Sequence, residues 1–353
     1  MLRRRLIVVP ALLASLVLVA GCIPPPDGGG AVPACPARSV SPLAGAGSSL
    51  VRGISSGGAW LVTSNLAGPD TVLTLRRADG AVPSVEVATL AGLDSSDAAF
   101  ASLAVGVSDD GELVVVDGSR WSRASGAMGP LVAPAAGATL LRQSPDRSRT
   151  AWSMPGSGDV VVTDSFTDQV LTWSDVTSAG TSPDGRYRLS SSSPSTASLL
   201  DLADGTAVDL GAALAAIAAA DPGAVWNAVA AAAVSPDGTV VALETLRNDG
   251  GFDPARRLWV WDTDTASLRD LGWNRGRVQA PDDGTVVFAA TATLITSIRA
   301  SLPDGSVRTV YSGTNVVEIG GGFDGSADLR TVALSASTTP LGPSTAVYLS
   351  RCS

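Results

Sequence analysis

Two side chains are missing altogether: the sequence has no histidine and no lysine, so all 24 basic residues are arginine. Without histidine no Ser-His-Asp or Cys-His nucleophile can be built, and no imidazole ligand can hold a metal. Without lysine there is no Schiff base, no Ser-Lys dyad and no phosphate-loop lysine. Glutamate occurs only at positions 86, 112, 244 and 318. A carboxylate pair for glycoside chemistry stays open, but no spacing selects one. No motif indicates a cofactor or a metal. The net charge is −9, and three units more negative once Arg3, Arg4 and Arg5 are removed. An acidic chain gains no affinity from phosphate neutralisation, so nucleic acid is not an expected partner.

Long apolar runs are scarce too. The longest, Leu6 to Ala20, follows three arginines and is short of the ~20 residues a membrane span needs. The small residues Ala20 and Gly21 then precede Cys22. The segment Val19-Ala20-Gly21-Cys22 resembles a bacterial lipoprotein signal, with Val19 where Leu is usual. The resemblance implies that residues 1–21 are removed, that Cys22 carries lipid, and that the protein is extracytoplasmic and anchored to the cell membrane. A plain secretory signal or an uncleaved anchor is the other reading. Residues 22–34 form a Pro/Gly linker without periodicity. The folded domain is expected over 35–353, as a monomer.

What the chain has in quantity is one turn, written repeatedly. Seven candidate units begin ISSGGAWLV at 54, VSDDGELVV at 107, QSPDRSRTA at 143, TSPDGRYRL at 181, VSPDGTVVA at 234, APDDGTVVF at 280 and GFDGSADLRTVAL at 322. Each has an apolar run before the turn, a second after it, then a loop, a third run such as RLWVWD, a second turn rich in Asp, and a fourth run. Proline presets φ, the Asp side chain accepts backbone N–H groups, and Gly takes φ > 0. Four strands per unit, spaced by about 36–54 residues, predict an all-β seven-bladed β-propeller of four-stranded antiparallel blades.

The blade at 234–271, VSPDGTVVALETLRNDGGFDPARRLWVWDTDTASLRDL, resembles the WD-like repeats of TolB-type periplasmic propellers, and those at 143 and 181 match it less closely. WD40-like proteins of the Gly-His kind are a poorer match for a chain without histidine. The resemblance implies the fold; propellers host many unrelated functions.

The last unit has only three runs of its own, ending AVYLSRCS. Its fourth strand is expected from CPARSV at 35–40, closing the ring with N- and C-terminal strands. In an oxidising compartment Cys35 and Cys352 are expected to pair, closing a loop of about 318 residues worth ~5 kcal/mol in the chain-entropy model.

The repeated turns should share one face, and the variable loops the other. Two excursions stand out there: 247–257, RNDGGFDPARR, and 211–228, GAALAAIAAADPGAVWNA, an Ala-rich helix stopped by Pro222-Gly223. They place Trp226, Asp249, Phe252, Asp253, Arg256 and Arg257 together as candidate partner-binding residues; equally, Trp226 is core and the arginines a solvated rim. GISSG at 53–57 and GGGFDG at 320–325 lack the helix their motifs need and read as blade turns. The other tryptophans read as packing within or between blades. The expected function is a membrane-tethered scaffold for an extracytoplasmic protein or small ligand, with no catalytic residue assigned. The alternative is a carboxylate-based hydrolase or lyase acting on an extracellular glycan. Non-reducing peptide mass analysis should find Cys35 linked to Cys352; free thiols at both positions would remove the clamp.

Overall fold

Each repeated turn folds back one apolar run on another, giving seven antiparallel sheets. The computed structural model describes residues 38–66, 68–95, 97–144, 146–171, 182, 185–193, 196–222, 226–247, 255–273, 278–280, 285–289, 297–312, 323–326, 329–337 and 345–352. β1 (Arg38–Pro42) precedes blade one, which holds β2 (Ser49–Ile54), β3 (Trp60–Asn65), β4 (Thr71–Arg77) and β5 (Val85–Leu90). A short helix, α1 (Ala98–Ser102), leads to blade two: β6 (Val105–Val107), β7 (Leu113–Val116), β8 (Ser119–Ser122) and β9 (Ala127–Pro130). Blade three has β10 (Thr139–Gln143), β11 (Arg149–Ser153) and β12 (Val160–Asp164), with Val170 bridged to Thr163 as the start of a fourth run. In blade four, β13 (Tyr187–Ser193), β14 (Thr196–Asp201) and β15 (Ala207–Asp209) follow the repeated turn. Residues 172–181, before that turn, lie outside the described residues. After α2 (Gly211–Ala220), blade five holds β16 (Trp226–Val234), β17 (Val240–Arg247), β18 (Ala255–Asp262) and β19 (Ser267–Trp273). Blade six holds β20 (Val278–Gln279), β21 (Val286–Ala289), β22 (Ser297–Ser301) and β23 (Val307–Ser312). Blade seven is β24 (Phe323–Gly325), β25 (Thr331–Ser337) and β26 (Thr345–Cys352), completed by β1.

The expected closure is therefore present: β1 pairs antiparallel with β26, Arg38 opposite Cys352 and Pro42 opposite Tyr348. First strands pack on one another, β2 against β6 and β24, and β16 against β20, so they ring the axis. The core lies between blades. Val62, Leu73 and Leu75 of blade one meet Val105, Val114 and Trp121 of blade two. Across the closure, Val51 and Leu61 meet Ala333, Val347 and Leu349. Burying each such side chain contributes about 1.5–3 kcal/mol. Trp121, Trp152 and Trp259 are buried as packing residues, and the indoles of Trp152 and Trp259 donate to Thr163 and Thr245.

The turn works as expected, with one addition. In VSPDGTVV, Asp237 accepts the Thr239 N–H at 3.0 Å, and Gly238 takes φ 75°. The addition is serine. Ser55, Ser108, Ser182, Ser235 and Ser326 each accept the backbone N–H five residues on, as Ser144 does from Arg149. Alignment on serine also corrects the seventh unit. Phe323–Gly325 is the innermost strand, and the turn follows it from Ser326, with Leu329 in the left-handed position at φ 50°. Arg147 holds that position in blade three at φ 61°.

Glycine at this position has a second reason. A methyl on Gly111 of blade two would overlap the Trp60 indole of blade one. One on Gly238 of blade five would fall 2.6 Å from the Tyr187 ring of blade four, and one on Gly58 of blade one 2.9 Å from Thr331 of blade seven. Trp60, Tyr187 and Thr331 all open second strands, so each packs on the next blade's turn. Gly80 has the same left-handed φ, 71°, with open space around it. Gly80→Ala should cost only the backbone strain of ~1–2 kcal/mol, whereas Gly111→Ala and Gly238→Ala should cost at least about 1 kcal/mol more. Urea denaturation of the three variants checks this.

Candidate functional site

The two faces of the ring differ in what they offer chemically. The turn face joins first and second strands, and third and fourth strands. Its charged groups answer one another: Arg149 reaches Asp164 at 2.8 Å, Arg186 reaches Asp201 at 2.8 Å, and Arg120 grips Asp168 with both terminal nitrogens at 2.9 and 2.8 Å. Asp201 is held below the usual carboxylate range, chiefly by the Arg186 hydrogen bond and also by the Ala203 N–H. Asp110 is lowered by the Glu112 N–H and the Ser108 hydroxyl, and Asp304 by the Ser306 hydroxyl and N–H. These carboxylates serve turns.

The loop face carries the connections from second to third strands and from blade to blade, including α1 and α2. α2 forms as the alanine-rich sequence predicts, with Ala213 and Ile217, four apart, buried together. It packs against β14 and β19, between blades four and five, and ends at Asp221, before Pro222. There the two excursions meet. Arg257, near the start of β18, donates to Asp221 at 2.8 Å and from its Nε to Asp270 at 3.1 Å, with its Nη2 also on Asp270. Its guanidinium lies 4.7 Å over the Trp259 ring. Arg257 is pushed above the ordinary arginine value, first by the Asp270 hydrogen bond. It is a clasp between the helix exit and β19, occupied by its own chain.

Of the other candidates, Trp226 opens β16 opposite Arg247, and Arg256 pairs with Leu246, so both lie at the loop-face end of blade five. Asp249, Phe252 and Asp253 lie outside the described residues, as do Cys22 and Cys35.

The spacing alone did not reveal a bulge repeated on the innermost strands. Register shifts fall at Arg52 in β2, Leu141 in β10 and Ala232 in β16, each three residues before the turn serine. Bulges re-aim side chains. Leu141 is 47% exposed on its inner strand, one of several open apolar side chains that include Val132 in the preceding loop and Val170. Arg52 takes the opposite course. It is 3% exposed, its Nε donates to Ser64 and its Nη1 to the Phe100 carbonyl, both at 2.8 Å, beneath the Phe100 ring. Burial lowers it to about 10. No apolar-period signal could have found these bulges, because the extra residue breaks the period.

The carboxylates named for the hydrolytic alternative are scattered. Glu86 is exposed on outer strand β5, where Thr89 donates to it. Glu112 pairs with Arg123 on the turn face, Glu244 lies on β17, and Glu318 is outside the described residues. On an innermost strand, Asp324 accepts from Gln279 and from the Ile54 N–H at 3.1 Å, joining blades six, seven and one. Among the described residues no group of three His, Cys, Asp or Glu converges, and no helix is long and apolar enough to cross a membrane.

No family model matches the chain, and no curated protein matches it. Solved structures do, distantly. An oligogalacturonate lyase from Vibrio parahaemolyticus is 9% identical, covering 88% of this chain and 93% of its own, with TM-score 0.48. A streptogramin B lyase is 11% identical over 90% and 98%, with TM-score 0.42. TolB from Acinetobacter baumannii is 12% identical over 83% and 80%, with TM-score 0.34. Likeness at this level concerns architecture.

Stability should follow the turn-face carboxylates. A depressed folded-state value adds stability that is complete above the unfolded value of ~4 and lost as pH falls through the folded one. Urea midpoints should therefore drop below about pH 4, and Arg186→Gln should make that decline shallower; an unchanged slope would count against the Arg186–Asp201 contribution.

Proposed function

We propose that the chain is an extracytoplasmic lipoprotein whose propeller is a binding scaffold, with its partner on the loop face. The asymmetry of the two faces carries the reading. The turn face repeats one serine-centred turn whose polar groups bond to each other, whereas the loop face holds α1, α2 and the irregular interblade connections, with Val132 exposed in one of them. Variable loops on a rigid frame are where binding concentrates. In this reading residues 1–21 are the export signal, Cys22 carries the lipid, 22–34 is the linker and 35–353 is the working domain. A Cys35–Cys352 bridge is supported by register, since Arg38, three residues after Cys35, stands opposite Cys352. A glycan hydrolase or lyase would need a free carboxylate pair, and the inner-strand carboxylate of Asp324 is engaged by Gln279 and Ile54.

The test uses a photo-crosslinking residue at Val132 or Arg256 on the loop face, and at Asp204 on the turn face, in the exported chain. A defined adduct is expected from the loop-face positions; adducts from Asp204 alone would refute the assignment of the face. Cys22→Ser should move the protein out of the membrane fraction and remove the acyl mass.

A further inference from the structure

We infer that the tether enters the propeller on the turn face, so that the bilayer lies on that side and the loop face is held away from it; this rests on the lipoprotein reading above. The entry point is fixed by β1. Its first residue, Arg38, stands opposite Cys352 and donates to the Leu329 carbonyl, while the Cys352 N–H donates to Arg330. Leu329 and Arg330 belong to blade seven's first turn. Arg351 beside them donates to Ala78, in a turn of blade one on the same face. At the other end of β1, the Leu43 N–H donates to Val347, and the chain leaves toward blade one along the loop face.

Length favours one orientation. From Cys22 to Arg38 there are sixteen peptide steps, whose reach is at most ~55 Å. Blade seven's third strand, Thr345–Cys352, is eight residues, or ~26 Å from one face to the other. Turning the loop face to the bilayer would require the linker to run that whole height beside the blade, consuming about half of its reach. With the turn face to the bilayer, none of it is needed. Exposed Asp204, Asp264 and Asp304 on the turn face repel anionic headgroups, so the linker sets a stand-off and the face does not adhere. The partner is then one held in the extracytoplasmic space beyond the protein, not one embedded in lipid.

Energy transfer measures this directly. The full chain is bound to phosphatidylethanolamine–phosphatidylglycerol vesicles carrying an acceptor lipid, with a fluorescent residue at Asp204 on the turn face or Ala136 on the loop face. Donor quenching is expected to be at least about twofold stronger at Asp204; equal quenching, or stronger quenching at Ala136, overturns the orientation. A chain that fails to bind and has no acyl mass on Cys22 overturns the lipoprotein reading instead. The same two donors on a chain joined to a maleimide lipid at Cys22 then decide the orientation separately.

Discussion

Seven radial sheets make a stable ring only where the last is bound to the first, and here that bond is the pairing of β1 with β26. Around it the seam is dense. Asp324 of blade seven accepts from the Ile54 N–H, Ser335 accepts from the Val51 N–H, Arg351 reaches Ala78, and Thr331 packs on Gly58. Without the pairing, the apolar faces made by Leu61 and Val51 on one side and Val347 and Leu349 on the other would both meet water. The same five residues of β1 decide where the N-terminal segment joins the domain and bring Cys352 near the start of the fold.

Within the ring, one turn does two tasks. Locally its serine and aspartate tie the ends of a hairpin. Between blades, its left-handed residue offers a bare backbone on which the neighbour's Trp60, Tyr187 or Thr331 rests. A glycine chosen for conformation is thereby also chosen for contact, which is a physical reason for glycine at this place in blades one, two and five. Blades three and seven depart from it, with Arg147 and Leu329 in the left-handed position. Arg147 accepts the left-handed strain and spans from Ala104 to Asp117 of blade two, replacing a close approach with hydrogen bonds.

The opposite face is free of that constraint. Its insertions need only leave and rejoin the frame, and α2 does so by burying Ala213 and Ile217 between blades four and five. Arg257 illustrates how a surface cation can be part of the frame: two carboxylates of its own chain hold it, one at the helix exit and one on β19.

The repeated turns, the helix over 211–220 and the borrowed strand near residue 38 were legible in the sequence, because each depends on local chemistry: turn residues, alternation and alanine propensity. The placement of Arg257 against Asp221 and Asp270, the aromatic rings lying on glycines of the next blade, and the bulges that bury Arg52 while exposing Leu141 were decided by tertiary structure alone. Each involves residues brought together across blades, or an extra residue that breaks the alternation from which a strand is read, and neither leaves a periodic trace along the chain.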